Sequence, residues 1–141
     1  MGVAPKGRKA KGSKAERELI HMFWDNGFAA VRAAGSGSTT QASPDLIVGN
    51  GKVFFAIECK ASTSHSKYLD KDEINQLDYF ANCFGARAFI AMRFNNEPWY
   101  FLRLTDLKVT SKSYLASMEL AKKKGLTFEE LIGKYEQKRL E

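Results

Sequence analysis

The stretch PDLIVGNGKVFFAIECK, from Pro44 to Lys60, constrains the chain more tightly than any other. Val/Ile/Phe-rich runs flank Asn50-Gly51, and Asn-Gly is the pair that most readily takes the two positive φ values of a type I′ turn. The stretch therefore predicts a hairpin. With Asn50 and Gly51 as the turn residues, Gly49 faces Lys52, Ile47 faces Phe54 and Asp45 faces Ala56, which sets Asp45 diagonal to Glu58. Side chains alternate with period two, so Glu58 and Lys60 share one face. Diagonal neighbours stand roughly 7–8 Å apart at Cα, a gap that two carboxylates close by leaning toward one cation. Strand ends also carry Asp, Glu and Lys as plain solvated residues. Glu58 argues against that reading, because it follows Val53-Phe54-Phe55-Ala56-Ile57, where an unpartnered charge is costly.

A hard divalent cation such as Mg²⁺ takes oxygen ligands, commonly one or two carboxylates with water and substrate phosphate completing the shell. Asp45 and Glu58 meet that need. An ammonium beside the ion, here Lys60, can orient the attacking water and offset charge on a phosphoryl group. The order Pro-Asp, twelve residues, then Glu-Cys-Lys resembles the pattern of the PD-(D/E)xK nuclease superfamily.

At 141 residues the chain is long enough for one domain with a proper core. Its net charge of +6 favours a polyanionic partner such as nucleic acid. Cys59 and Cys83 lack metal-ligand spacing and read as buried thiols, with Cys59 on the opposite face from Glu58. No apolar run approaches the ~20 residues of a membrane span, and the N-terminus lacks a signal peptide's apolar core. The expectation is a cytoplasmic protein with no membrane contact.

Residues 1–12 hold Lys6, Arg8, Lys9 and Lys11 with little that packs, and read as a flexible basic arm preceding a single domain over 13–141. Ser13 to Asn26-Gly27 predicts a helix with an apolar stripe of Ala15, Leu19, Ile20, Phe23 and Trp24. Glu16 falls three residues after Ser13, and by spacing alone it is a capping-box residue, with Arg17 beside it on the surface. A strand over Phe28–Ala34 leads into a Gly/Ser loop, Gly35 to Ser43, that delivers the chain to Asp45. Ala61 to Leu69 reads as a polar connection in which His65 is solvated. A helix from Asp70 to Gly85 follows, then strands Ala86–Phe94 and Trp99–Leu104 around an Asn95–Pro98 turn. Two terminal helices are expected, the first around Tyr114–Lys124. The second starts from a Thr127 cap with Glu130 at N3 and runs to Arg139. This order predicts an α/β fold with helices on a central mixed sheet.

Several segments together resemble the archaeal-type Holliday junction resolvases. They are Ala15-Glu16-Arg17-Glu18-Leu19, Asn26-Gly27-Phe28 leading to Val31-Arg32-Ala33, Gly35-Ser36-Gly37-Ser38, Pro44-Asp45-Leu46-Ile47 and Ile57-Glu58-Cys59-Lys60. Phe80-Ala81, Gly85 and Gly125 to Ile132 extend the likeness over roughly residues 12–138. The resemblance implies a restriction-endonuclease-like fold. It also implies a metal site of Glu16, Asp45 and Glu58, displacing the capping-box role for Glu16, with Lys60 catalytic and Ser36 on a loop that contributes to cleavage. Arg17 and Arg32 are implied to hold the junction backbone. The implied activity is structure-selective, Mg²⁺-dependent cleavage of four-way DNA junctions by a homodimer in recombination and repair. It leaves a 5′-phosphate, with Mn²⁺ able to substitute and other recombination proteins as partners. Another nuclease of the superfamily and a non-catalytic junction-binding protein are the alternatives. The interface is expected from the helix carrying Tyr79 and Phe80, the strand Trp99-Tyr100-Phe101, or the C-terminal segment. Asp70-Lys71-Asp72-Glu73 departs from the basic character expected before that helix, which leaves its approach to DNA open.

Overall fold

The structure, a computed structural model, describes residues 6–33 and 43–135. Strand β1 (Ala29–Arg32), β2 (Leu46–Gly49) and β3 (Phe54–Ser62) form an antiparallel meander, and β3 then pairs in parallel with β5 (Arg87–Phe94). Beyond β5 lie β6 (Tyr100–Arg103) and the short β9 (Leu126–Thr127), giving a six-stranded mixed sheet in the order β1-β2-β3-β5-β6-β9. The parallel step needs a crossover, supplied by β4 (Ser66–Asp70) and helix α2 (Lys71–Phe84).

Helices cover both faces. Helix α1 (Lys6–Asp25) and α4 (Phe128–Tyr135) bury Leu19, Phe23, Phe128 and Leu131 against Phe28, Phe55, Phe89 and Phe101 of the sheet side. Helix α2 and α3 (Met118–Lys124) bury Ile74, Leu77, Ala81 and Ala121 against Ala56, Ile90 and Met92 on the other. The middle strand β3 is covered on both sides, which is why Phe55, Ala56 and Ile57 form an unbroken apolar run rather than an alternating one. The expected α/β fold with a central mixed sheet is what the chain adopts.

Local differences from the sequence expectations have identifiable causes. α1 begins at Lys6, so Ser13 lies inside the helix and no Ser13–Glu16 capping box exists. Lys, Arg and Ala upstream of Ser13 are good helix formers, and they carry the helix through residues read as an arm. The hairpin loop spans four residues, not two. Asn50 Oδ1 accepts from the backbone N–H of Lys52 and Val53 at 3.0 and 2.9 Å and the Asn50 N–H donates to the Val53 carbonyl at 3.2 Å, so regular strand pairing starts at Gly49 and Phe54. Only Gly51 takes a positive φ there, +92°, so a type I′ turn is excluded.

The connection after Lys60 is not a loop. β3 continues to Ser62, and β4 pairs with β8 (Ser113–Ser117), itself paired with β7 (Lys108–Val109), as a separate three-stranded sheet. β8 takes the first turn of the helix expected over Tyr114–Lys124. Thr127 and Glu130 do form the expected reciprocal cap, at 3.1 Å in each direction. The expected extension of that last helix to Arg139 lies outside the described residues. Cys83 is exposed rather than buried, whereas Cys59 packs against the α1 layer as its position in the strand requires. Trp99 and Phe101 are core residues with 5% and 0% exposure, so of Trp99-Tyr100-Phe101 only Tyr100 keeps part of its side chain at the surface.

Candidate active site

The four-residue loop shifts the β2–β3 register by two, so Leu46 opposes Ile57 and the next pair outward is Asp45 opposite Glu58. A shift of two preserves the face. The carboxylates are therefore directly across from each other, closer than the diagonal that the shorter turn would give. Asp45 is held from both sides: its Oδ2 accepts from the Cys59 N–H at 2.8 Å, and its carbonyl accepts from the Ala33 N–H at 2.9 Å. The buried Pro44 and Leu46 fix the chain on either side of it.

Glu58 is mostly buried and hydrogen-bonds with Asp45. Burial first, then that hydrogen bond and the Asp45 charge, push its carboxyl up to about 9, with Lys60 pulling the other way. Glu58 thus tends to keep its proton beside Asp45, the expected response of a buried carboxyl next to another acidic group. Glu16 reaches the same neighbourhood from α1. Its pKa is raised by burial and by Asp45, with Arg32 opposing. Arg32 Nε stands 3.0 Å from Glu16 Oε2, yet that buried oxygen accepts no aligned hydrogen bond, so the contact is an ion pair alone. The Cys59 thiol is pushed up by its burial and by Asp45, Glu16 and Glu58, so it is no nucleophile.

Lys60 lies one full pleat beyond Glu58, and its ammonium is ion-paired with the Glu73 carboxylate of α2. Burial alone would lower its pKa. The Glu73 hydrogen bond and the charges of Glu73, Glu58 and Asp45 outweigh that and raise it, so Lys60 is a cation here and not a base. Glu73 escaped the sequence reading. Its acidic run reads as a helix N-terminus complementing the macrodipole, and only the fold reveals that α2 starts beside Lys60.

The structure therefore brings together Asp45, Glu58 and Lys60, with Glu16 close to Asp45 from α1 and touching Arg32. Arg17 is exposed on α1 and takes part in no ion pair among those of the described residues. Ser36 and the side chains of Lys6, Arg8, Lys9 and Lys11 lie outside the described residues. Among the described residues, no three His, Cys, Asp or Glu side chains stand close enough to enclose a metal ion by themselves. The donor set instead suits an ion that keeps most of its waters, as Mg²⁺ does. The Glu16 oxygen that accepts no aligned hydrogen bond and the raised Glu58 carboxyl both leave carboxylate oxygens that a cation could take up. Among the described residues no helix is long and apolar enough to cross a membrane.

A mixed sheet sandwiched by helices, with Asp and Glu-x-Lys on adjacent antiparallel strands, defines a nuclease of the restriction-endonuclease-like, PD-(D/E)xK type. Comparison with known proteins narrows this further. The family described as archaeal Holliday junction resolvase matches residues 7–140. The crossover junction endodeoxyribonuclease Hjc of Archaeoglobus fulgidus is 39% identical over 131 residues, covering 93% of this chain and 96% of its own. The Methanocaldococcus jannaschii protein of the same name is 34% identical, covering 93% of each. The solved structure of Archaeoglobus fulgidus Hjc, a Holliday junction resolvase, superposes with a TM-score of 0.80 at 36% identity, over 85% of this chain and 98% of that one. The chain belongs to the archaeal Holliday junction resolvase family.

Proposed function

We propose that this protein resolves four-way DNA junctions by paired, metal-dependent hydrolysis of backbone phosphodiesters, in recombination and repair. The observation that carries the reading is the Asp45–Glu58 carboxylate pair with Lys60 one pleat beyond it, in a chain whose relatives are named crossover junction endodeoxyribonucleases. Asp45 and Glu58 would hold Mg²⁺, or Mn²⁺ in its place, with Glu16 adding a third carboxylate charge. When bound, the ion polarises the scissile phosphate and offsets its growing negative charge.

The chain's own groups do the rest. Lys60 keeps its proton and stabilises charge on the phosphoryl oxygens. Arg17 and the half-exposed Arg32 hold phosphates flanking the cleaved bond, joined by Lys6, Arg8, Lys9 and Lys11 along the arms and by Ser36 at the cut. Such contacts position the duplex without reading bases, so junction shape sets specificity. Two symmetric cuts require two sites, and a homodimer supplies them. Its contact surface draws on the exposed aromatic side chains of α2, Tyr79 at 72% and Phe84 at 50% exposure, where Phe84 also meets Phe80 and Phe54. The protein acts in the cytoplasm on DNA, beside other recombination proteins.

A gel assay of labelled junction, flap and linear duplex, with and without Mg²⁺, tests the reading. The expected result is symmetric junction cleavage only with the ion. Equal cutting of linear duplex would make it a general nuclease, and junction binding with no cutting would make it a non-catalytic binder.

A further inference from the structure

We propose that Glu73 is a positioning residue that draws the Lys60 ammonium away from Asp45 and Glu58 and so keeps those two carboxylates open to a divalent cation. The inference rests on the reading of Asp45 and Glu58 as the cation's ligands, and it assigns a role to a residue outside that set. Lys60 emerges on the same face of β3 as Glu58, one pleat away, and has three acidic neighbours: Glu73, Glu58 and Asp45. Among the described residues its ion pair is with Glu73 alone. An ammonium and a dication compete for the same carboxylate oxygens. Without Glu73, the nearest compensation for the Lys60 charge is the Asp45–Glu58 pair.

Glu73 is well placed to prevent this. It stands in the first turn of α2, whose N-terminus is already capped by Asp70, with Oδ1 accepting from the Asp72 N–H at 3.0 Å. The helix end therefore does not need the Glu73 carboxylate. The following residue, Ile74, is 3% exposed and Leu77 is 3% exposed, so the turn that carries Glu73 is anchored in the core against the sheet. The side chains of Lys60 and Glu73 are 22% and 32% exposed, enough shielding for the pair to hold its geometry better than a surface ion pair. A partner that orients a site residue without touching the ion commonly changes metal affinity about 10-fold to 100-fold when removed.

The test is calorimetric titration of MgCl₂ into the metal-free full-length protein without DNA, for wild type, Glu73→Gln, Lys60→Ala and the double variant. Glu73→Gln should weaken Mg²⁺ binding at least about tenfold. Lys60→Ala should bind at least as tightly as wild type, and the double variant should match Lys60→Ala, because the competing ammonium is gone. Asp72→Asn removes the same charge from the exposed neighbouring position and should bind like wild type. Junction cleavage by Glu73→Gln should be slow at low Mg²⁺ and recover as Mg²⁺ rises, with Glu73→Asp recovering at lower concentration. Unchanged affinity in Glu73→Gln, or a double variant as weak as Glu73→Gln, overturns the inference. Wild-type affinity in Asp45→Asn would instead overturn the ligand assignment on which it rests.

Discussion

β3 changes character at its midpoint, and its two halves are held in place by different forces. Phe55, Ala56 and Ile57 have no exposed surface, whereas Glu58, Cys59 and Lys60 are part-buried and, on the α2 face, ionisable. In the first half, aromatic contacts to Phe23, Phe28 and Phe89 at ring separations of 6.5, 5.8 and 5.4 Å anchor the strand. In the second half, burial and the Asp45 charge push the Glu58 carboxyl up, so holding the two carboxyls side by side has an electrostatic cost. The apolar half thus supplies the rigidity that keeps like charges together. Site precision here comes from neighbouring packing together with the hydrogen bonds that hold Asp45 and the ion pair that holds Lys60.

Four changes sharpen or break this contrast. Phe55→Ala should destabilise by about 3–5 kcal/mol and lower the thermal midpoint by roughly 10 °C, with cleavage per folded molecule retained well below the midpoint. Calorimetry with an activity assay at low temperature reads both. Lys60→Ala should slow junction cleavage by about 10²-fold to 10³-fold while unfolding close to wild type, and an effect under about tenfold would make Lys60 structural.

Glu58→Gln probes that electrostatic cost directly. The metal-free Glu58 carboxyl titrates near 9, above the 4.5 of the unfolded chain. It therefore favours the fold most fully below about pH 4.5, and that contribution is lost as pH rises toward 9. Relative to wild type, the metal-free variant should gain stability between those limits, on the order of 1–3 kcal/mol at the alkaline end. Saturating Mg²⁺ should erase the gain. A stability difference that stays flat with pH would mean the Glu58 carboxyl is not raised in the folded protein. The smallest effect is expected from Arg17→Ala, which should lower the slope of log affinity against log salt by about one without changing sequence preference.

The sequence carried the two halves unequally. Val53 to Ile57 announces a buried strand by composition, and period-two alternation puts Asp45, Glu58 and Lys60 on one face. The misjudged turn did not disturb that reading, because the Asn50 side chain lengthened the loop by an even number of residues. Glu16 could be read as a cap only while the helix was thought to start at Ser13. Its approach to Asp45 depends on how α1 crosses the sheet, and only the likeness to resolvases pointed to it. The β4–β8 pairing joins Ser66–Asp70 to Ser113–Ser117 across more than forty residues, and neither segment carries an apolar pattern that distinguishes it from a loop or helix start. The Lys60–Glu73 pair was hidden for the same reason. Each charge has a sufficient local explanation, and only the tertiary fold joins them.

Cleavage and binding of a labelled four-way junction by Asp45→Asn, read on one gel in Mg²⁺, go to the centre of the proposal. The substitution removes a carboxylate charge and keeps the side chain's size and one acceptor oxygen for the Cys59 N–H. The expected result is a junction bound about as tightly as by wild type and left uncut. Resolution at a rate within about tenfold of wild type would contradict the assignment, since loss of a single catalytic donor already costs about 10²-fold or more.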